Sequence, residues 1–219
     1  PALLLHSRTA VETSLGASLY ALFIFFYLLY RLKNRRLLPI ALAFGALAFY
    51  SYSPLQLVVV LTGAALLIAD WRYHLQEKRS LLVGLLSLVI AALPYAVFRF
   101  NHPEALARHL TQLQSYWISG ASLGVKVSAY LRNYLRGLDP RYWFFPNETD
   151  LIRHQMKGMG HFPLLSLPLV LLGLALSARG VRQPEKRAVL IALLAGPSGA
   201  ALVGPATRPT GGAVARRDV

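Results

Sequence analysis

The sequence has 219 residues, of which 55% are hydrophobic and 15% are charged, whereas soluble globular domains average about 45–50% and about 25%; this excludes an ordinary water-soluble domain. The absence of cysteine excludes disulfide bonds, a thiolate metal site and a cysteine nucleophile. The net charge of +14 would suit nucleic acid if it lay on one polar face, but the basic residues stand in short blocks between long uncharged runs, which excludes nucleic acid as a partner.

The uncharged runs predict membrane-spanning helices, because one bilayer crossing takes about 20 apolar residues. The run 37–69 is 33 residues long, too long for one crossing, and Ser51-Tyr52-Ser53-Pro54 near its middle predicts a turn. We therefore predict an all-α fold, a polytopic transmembrane helix bundle with about six spans. The predicted spans are residues 13–30, 37–53, 55–70, 80–98, 161–178 and 188–207.

The basic residues between the spans predict the orientation. Segments 31–36, 70–79 and 179–187 together hold eleven Lys and Arg, whereas segments 1–12 and 51–54 hold Arg8 alone. The positive-inside rule places the eleven in the cytoplasm. We predict a multi-pass protein of the cell (inner) membrane, with membrane lipids as partners.

The segment between the fourth and fifth spans is predicted to be extracytoplasmic and to contain interfacial helices. Leu106, Leu110, Leu113 and Trp117 recur at helical spacing, and a second apolar stripe begins at Leu123 and stops at Gly137. The predicted parts are a four-span part (1–98), this segment of amphipathic helices (99–160), a two-span part (161–207) and a polar tail (208–219).

Polar residues near the predicted outer face form the candidate substrate site. Arginine can hold a phosphate bidentately, and Lys and protonated His add donors, so the cluster is suited to a lipid phosphate; a solvated juxtamembrane loop is the alternative. His154 and His161 have too few other metal-ligating residues near them for a metal site, and we predict no metal. The candidates for lipid-phosphate or substrate binding are Arg8, Tyr52, Asn147, Arg153, His154 and His161.

In the order of these features the sequence resembles the GT-C membrane glycosyltransferases, specifically the bacterial relatives of protein O-mannosyltransferases and lipid A aminoarabinose transferases. The resemblance covers most of the chain. It is carried by His6-Ser7-Arg8 before a span, the turn Tyr50-Ser51-Tyr52-Ser53-Pro54, and a closing stretch with Asp139-Pro140, Phe144-Phe145, Asn147, Asp150, Arg153-His154, Gly158-x-Gly160, Leu167-Pro168-Leu169 and Gly173.

The resemblance implies an inverting transfer in which an acceptor hydroxyl attacks the anomeric carbon of a sugar carried on a polyprenyl phosphate. This polyprenyl-phosphate sugar is the donor substrate, and no certain cofactor is assigned. Arg8, Arg153 and His154 would hold the departing phosphate. The family's catalytic acidic residue lies in its first outer loop, which here would precede Pro1, so we expect the chain to be the middle and C-terminal part of such an enzyme, inactive alone. Asp150 and Glu12 are candidate stand-ins for the base, with pairing to a neighbouring Arg as the alternative.

Two other functions remain open on the sequence. One is an O-antigen ligase or polymerase-like protein, which usually has more spans. The other is a non-catalytic flippase or transporter part for lipid-linked sugars.

Overall fold

The structure, a computed structural model, describes residues 11–76, 78–112, 115–146 and 158–203, and this part of the chain is all-α. Its helices are α1 (Val11–Leu32), α2 (Leu38–Ser51), α3 (Ser53–Ala69), α4 (Trp71–Gln76), α5 (Lys78–Asn101), α6 (Ala105–Gln112), α7 (Leu123–Leu138), α8 (Pro140–Phe144), α9 (Leu167–Arg179) and α10 (Pro184–Val203). Short 3-10 turns cover Arg35–Leu37, Tyr116–Ile118 and Leu164–Ser166.

Six helices, α1, α2, α3, α5, α9 and α10, fall on the six apolar segments. By length and composition, two stretches of the described chain could cross a membrane, Glu12–Leu32 and Lys78–Asn101. The apolar helices Ser53–Ala69 and Leu164–Arg179 are shorter, and the 14 residues of α2 give about 21 Å against a hydrocarbon core of about 30 Å. The all-α prediction is confirmed and the two longer helices indicate membrane association, whereas six crossings stay a proposal.

Contacts between the helices define two ends of the bundle. The hydroxyl groups of Tyr20 in α1 and Thr62 in α3 lie 2.7 Å apart, and both helices end near Asp70. At the opposite end, Gly199 of α10 lies against the carbonyl oxygen of Pro54, where a side chain would collide with the backbone. We call the end at Asp70 the basic end and the other end, where Tyr52 lies, the Tyr52 end.

The packed core lies toward the basic end. Rings of α1 dominate it: Phe26 stacks on Phe44 of α2 with 5.1 Å between ring centroids. The buried members of this core are Phe23, Tyr27, Tyr30, Leu38, Ala41, Leu66 and Ala188. The core therefore joins α1, α2, α3 and α10, and it leaves α5 at the periphery, where Gly84 is the buried residue of that helix.

The segment between α5 and α9 differs in detail from its prediction. The first amphipathic helix, α6, ends at Gln112, and Trp117 lies in the 3-10 turn Tyr116–Ile118, so the predicted continuous helix through Trp117 was wrong. The second, α7, continues to Leu138, so Gly137 does not end it. Instead a Cβ at Gly137 would lie 2.6 Å from the Cβ atom of Pro197, and the missing side chain lets α7 pack against α10.

Candidate functional site

A long groove of about 380 Å³ lies between α2, α3 and α5, with α1 at its base. Along α5 its wall extends from Leu81 to Tyr95, which corresponds to about 21 Å of helix. A Cβ at Gly63 would meet no atom within 4 Å, so this glycine keeps space open. Apolar side chains and glycines form nearly all of the wall, among them Leu42, Gly63, Leu67, Leu85, Leu88 and Ala92. We call this feature the apolar groove.

At the Tyr52 end, a tyrosine from α2 enters the hydrogen-bond ladder of α5. The Tyr50 hydroxyl donates to the carbonyl oxygen of Ala91 at 2.6 Å and accepts from the backbone N–H of Tyr95 at 3.1 Å. An uninterrupted helix would pair these two backbone groups with each other. Pro94 stands directly before Tyr95 and disturbs that ladder. The Tyr50 hydroxyl satisfies the opened groups and ties α5 to α2.

At the basic end, the apolar groove is closed by Tyr27 and His74. The Tyr27 hydroxyl donates to Oδ2 of Asp70 at 2.8 Å and lies 3.4 Å from Nε2 of His74. The Tyr30 hydroxyl lies 2.9 Å from Nδ1 of the same ring. We assign the proton of His74 to Nε2, because the Tyr27 oxygen is then its acceptor and Nδ1 accepts from Tyr30. Both nitrogens are thus engaged with tyrosine hydroxyls.

Asp70 lies at the centre of this polar group, which we call the Asp70 cluster: Tyr27, Arg31, Asp70, His74 and Arg187. Asp70 is 4% exposed. Its Oδ1 atom lies 3.3 Å from Nε of Arg31 and contacts the guanidinium of Arg187. A buried carboxylate requires such partners, since its desolvation is costly. The Arg31 guanidinium also covers the ring of Tyr73 at 3.7 Å from its centroid, a favourable cation–π geometry.

Burial is the main cause that lowers the pKa of His74 below its ordinary value. The carboxylate of Asp70 acts in the opposite direction, and the guanidinium of Arg31 acts in the same direction as burial. The neutral ring is also the form that the two tyrosine hydroxyls accommodate. The Asp70 cluster therefore holds α1, α10 and the α3–α4 junction together, and its carboxylate is fully engaged with partners rather than offered to a substrate.

A second cavity, of about 330 Å³, lies at the Tyr52 end between α1, α3 and α10. Its wall includes Thr13, Tyr52 and Gly196. In the described part of the chain, the Tyr52 hydroxyl has no hydrogen-bond partner, and a Cβ at Gly196 would meet nothing within 4 Å. We call this cavity the outer pocket, and its polar groups are available to a ligand.

The structure describes three of the predicted site residues. Glu12 is exposed in the first turn of α1, beside Thr13 of the outer pocket. Tyr52 lies on the wall of that pocket, so these two predicted residues share one end of the bundle. His161 instead packs against Tyr142 and Trp143, with ring centroids 5.2 and 5.7 Å away. Arg8, Asn147, Asp150, Arg153 and His154 lie outside the described residues.

Asp70 and His74 were not among the predicted site residues: Asp70 was the last residue of the predicted span 55–70, and His74 lay in the basic segment 70–79. An acidic residue directly after an apolar run, followed by His at i+4, was the available signal. Among the described residues, no group of three or more His, Asp or Glu could hold a metal ion.

Comparison with known proteins identifies no relative. No family model, no curated protein and no solved structure matches the chain.

Proposed function

We propose that this chain is the middle and C-terminal part of a multi-pass inner-membrane glycosyltransferase, which transfers a sugar from a polyprenyl-phosphate donor to a lipid, glycan or protein acceptor on the extracytoplasmic face. The outer pocket is the observation that carries the proposal. It lies at the end of the bundle opposite the basic loops 31–36, 70–79 and 179–187, the side that the positive-inside rule makes extracytoplasmic.

Three features at the Tyr52 end of the bundle support a substrate site. Tyr52, a residue of the turn that carries the family resemblance, offers a hydroxyl without a partner in the described chain. Glu12, beside Thr13, has no ion-pair partner among the described residues. The described interfacial segment packs on the same half of α10, since the Tyr116 hydroxyl donates to the carbonyl oxygen of Ala201 at 2.6 Å.

The proposed step is a displacement at the anomeric carbon. The acceptor oxygen forms a bond to that carbon, the bond from the carbon to the phosphate oxygen breaks, and polyprenyl phosphate leaves with the electron pair. A carboxylate removes the acceptor proton, and cations stabilise the charge on the phosphate. Glu12 and Asp150 are the candidates for the base, and Arg8, Arg153 and His154 for the cations.

A leucine placed in the outer pocket tests this function. In membranes containing the full-length gene product, we expect sugar transfer from a labelled polyprenyl-phosphate donor. Gly196→Leu places a side chain in the pocket at a position where its Cβ meets nothing within 4 Å, and we expect it to lower transfer at least about tenfold by displacing the substrate. Gly173→Leu is the matched control, because its Cβ also meets nothing within 4 Å but lies outside the pocket, and it keeps full transfer.

Two results would overturn the proposal. One is full transfer by the Gly196→Leu protein. The other is movement of a lipid-linked sugar across the membrane without transfer, which would assign the protein to the flippases.

A further inference from the structure

We propose that the apolar groove binds an acyl chain of an anionic phospholipid, with the lipid phosphate at the basic end. This site is separate from the outer pocket, which lies at the other end of the bundle. The lipid would be a bound component of the cytoplasmic leaflet rather than the sugar donor.

The groove is built for a hydrocarbon chain. At its basic end and beside Pro94 the polar atoms are already engaged, since the hydroxyls of Tyr27 and Tyr50 and both nitrogens of His74 have partners within the protein. A ligand would therefore find apolar contacts along about 21 Å of α5, more than half of the hydrocarbon core of about 30 Å.

The groove also lies at the surface that faces lipid. On α5, Gly84 is the buried residue, and side chains such as Leu82 and Val89 are exposed. The helix is thus attached to the bundle along one edge, at Gly84 against Leu38 and at Tyr50. A chain from the surrounding bilayer can reach the space between these two attachments.

Charge at the mouth selects the head group. Four exposed cations come two or three positions before groove-lining residues of the basic end: Arg36 before Leu38, Arg72 before His74, and Lys78 and Arg79 before Leu81. Within the described chain, none of the four has an ion pair.

A hydrogen bond brings the two sides of this mouth together, because the Ser80 hydroxyl donates to the carbonyl oxygen of Arg35 at 3.2 Å. Asp70 is already paired inside its cluster, and Glu77, the other acid of segment 70–79, lies outside the described residues. The four exposed cations outnumber that one acid, so the sequence around this mouth is basic. Basic pockets between transmembrane helices on the cytoplasmic side bind anionic phospholipid head groups.

The two ends of the groove differ in a way that favours this orientation. At the Tyr52 end the groove closes on Tyr50 and Tyr95, and Arg99 is the cation that follows on α5. A polyprenyl-phosphate donor on the extracytoplasmic face would place its phosphate at this Tyr52 end. The four exposed cations lie at the basic end instead.

Native mass spectrometry of the full-length protein tests the proposal. The protein is delipidated in detergent and incubated with equal amounts of phosphatidylglycerol and phosphatidylcholine that carry identical acyl chains. We expect phosphatidylglycerol to be retained at least about fivefold over phosphatidylcholine, the effect of about one basic residue near an anionic head group.

Two pairs of variants distinguish binding of the acyl chain from recognition of the head group. Gly63→Leu fills the groove and abolishes retention of both lipids, whereas Gly173→Leu keeps it. The triple variant R36Q/K78Q/R79Q retains lipid without preference for phosphatidylglycerol. The charge control R179Q/R182Q, at the same end but away from the groove, keeps the preference.

Four results would overturn the proposal: equal retention of the two lipids by the unmodified protein, retention by Gly63→Leu, displacement of phosphatidylglycerol by polyprenyl phosphate, or a lipid-free dimer that dissociates in Gly63→Leu. Equal retention would mean that the groove does not select the head group. Displacement by polyprenyl phosphate would assign the groove to the lipid chain of the sugar donor, and the lipid-free dimer would assign it to a second copy of this chain. None of these readings depends on sugar transfer, so failure of the proposed enzyme activity is a separate result.

Discussion

Arg187 at the start of α10 forms an ion pair with Asp70 at the end of α3, across 117 residues of sequence. Arg31 of α1 contacts the same carboxylate oxygen. Arg31 and Arg187 belong to the basic segments that predict the orientation in the membrane. They also have a structural role, because together they neutralise a carboxylate that is almost completely buried.

Removal of the negative charge of Asp70 should destabilise the bundle. Asp70→Asn leaves two partly buried guanidinium groups without a counter-charge, and we expect a loss of about 2–4 kcal/mol in the free energy of unfolding. Arg182→Gln, an exposed arginine of the neighbouring loop, should change it by less than about 0.5 kcal/mol. Denaturant titration in detergent measures both; an equal loss in the two variants would contradict the structural role of the ion pair.

Stability should decrease as the pH falls through the ordinary titration range of histidine. The pKa of His74 is lowered in the folded protein, so the unfolded chain takes up its proton first. The stabilisation is complete above about pH 6.5, the ordinary histidine value, and is lost progressively below it. Unfolding temperatures from pH 8 to pH 5 should show this slope, and His74→Gln should reduce it.

His102→Gln is the control for the pH experiment, because His102 is exposed at the end of α5. It should leave the slope unchanged. A slope that persists undiminished in His74→Gln would assign the pH dependence to another group.

The Tyr50 hydroxyl should stabilise the protein more when Pro94 interrupts α5 than when that proline is replaced. Tyr50→Phe leaves the carbonyl of Ala91 and the N–H of Tyr95 without their partner, a cost of about 1–2 kcal/mol. In the Pro94→Ala background the two backbone groups can pair directly, so the same substitution should cost less. A double-mutant cycle on unfolding free energies measures the difference, with Tyr95→Phe as the matched ring control; additive effects would rule out the coupling.

The close approach of α10 to α3 should depend on Gly199. An alanine there places a methyl group against the backbone oxygen of Pro54, and we expect a loss of about 1–3 kcal/mol from overpacking. Gly196→Ala, three residues earlier in the same helix, meets open space and should be neutral or stabilising by about 0.5–1 kcal/mol. Thermal unfolding of the two variants tests this prediction. A Gly199→Ala protein as stable as the unmodified protein would contradict the close packing of α10 on α3.

The positions of the main helices were predictable, because each uncharged apolar run favours a helix and charged residues stand between the runs. The pairings between helices were not. The contact between Asp70 and Arg187, the insertion of Tyr50 beside Pro94 and the approach of Gly137 to Pro197 depend on which helix faces which, and hydrophobic periodicity contains no such information. The ends of α6 at Gln112 and of α7 at Leu138 also differ from the predicted ones.

The candidate site was predictable only in part. The turn at Ser51–Pro54 signalled that Tyr52 would lie at one end of the bundle, and the structure places it on the outer pocket. The apolar groove gave no sequence signal, because its lining residues have the composition of any transmembrane helix. The groove is defined only by the folded structure, in which Gly63 and residues of α5 line the same space.

Thiol labelling tests the central claim, a multi-pass bundle with its basic end in the cytoplasm, on which both proposals depend. The chain contains no cysteine, so single cysteines can be introduced at the exposed positions Lys33, Gln183 and Ala121. In intact cells, a membrane-impermeant thiol reagent should label Ala121→Cys and leave Lys33→Cys and Gln183→Cys unlabelled until the cells are opened. Labelling of Lys33→Cys and Gln183→Cys with protection of Ala121→Cys, or equal labelling of all three, would contradict it.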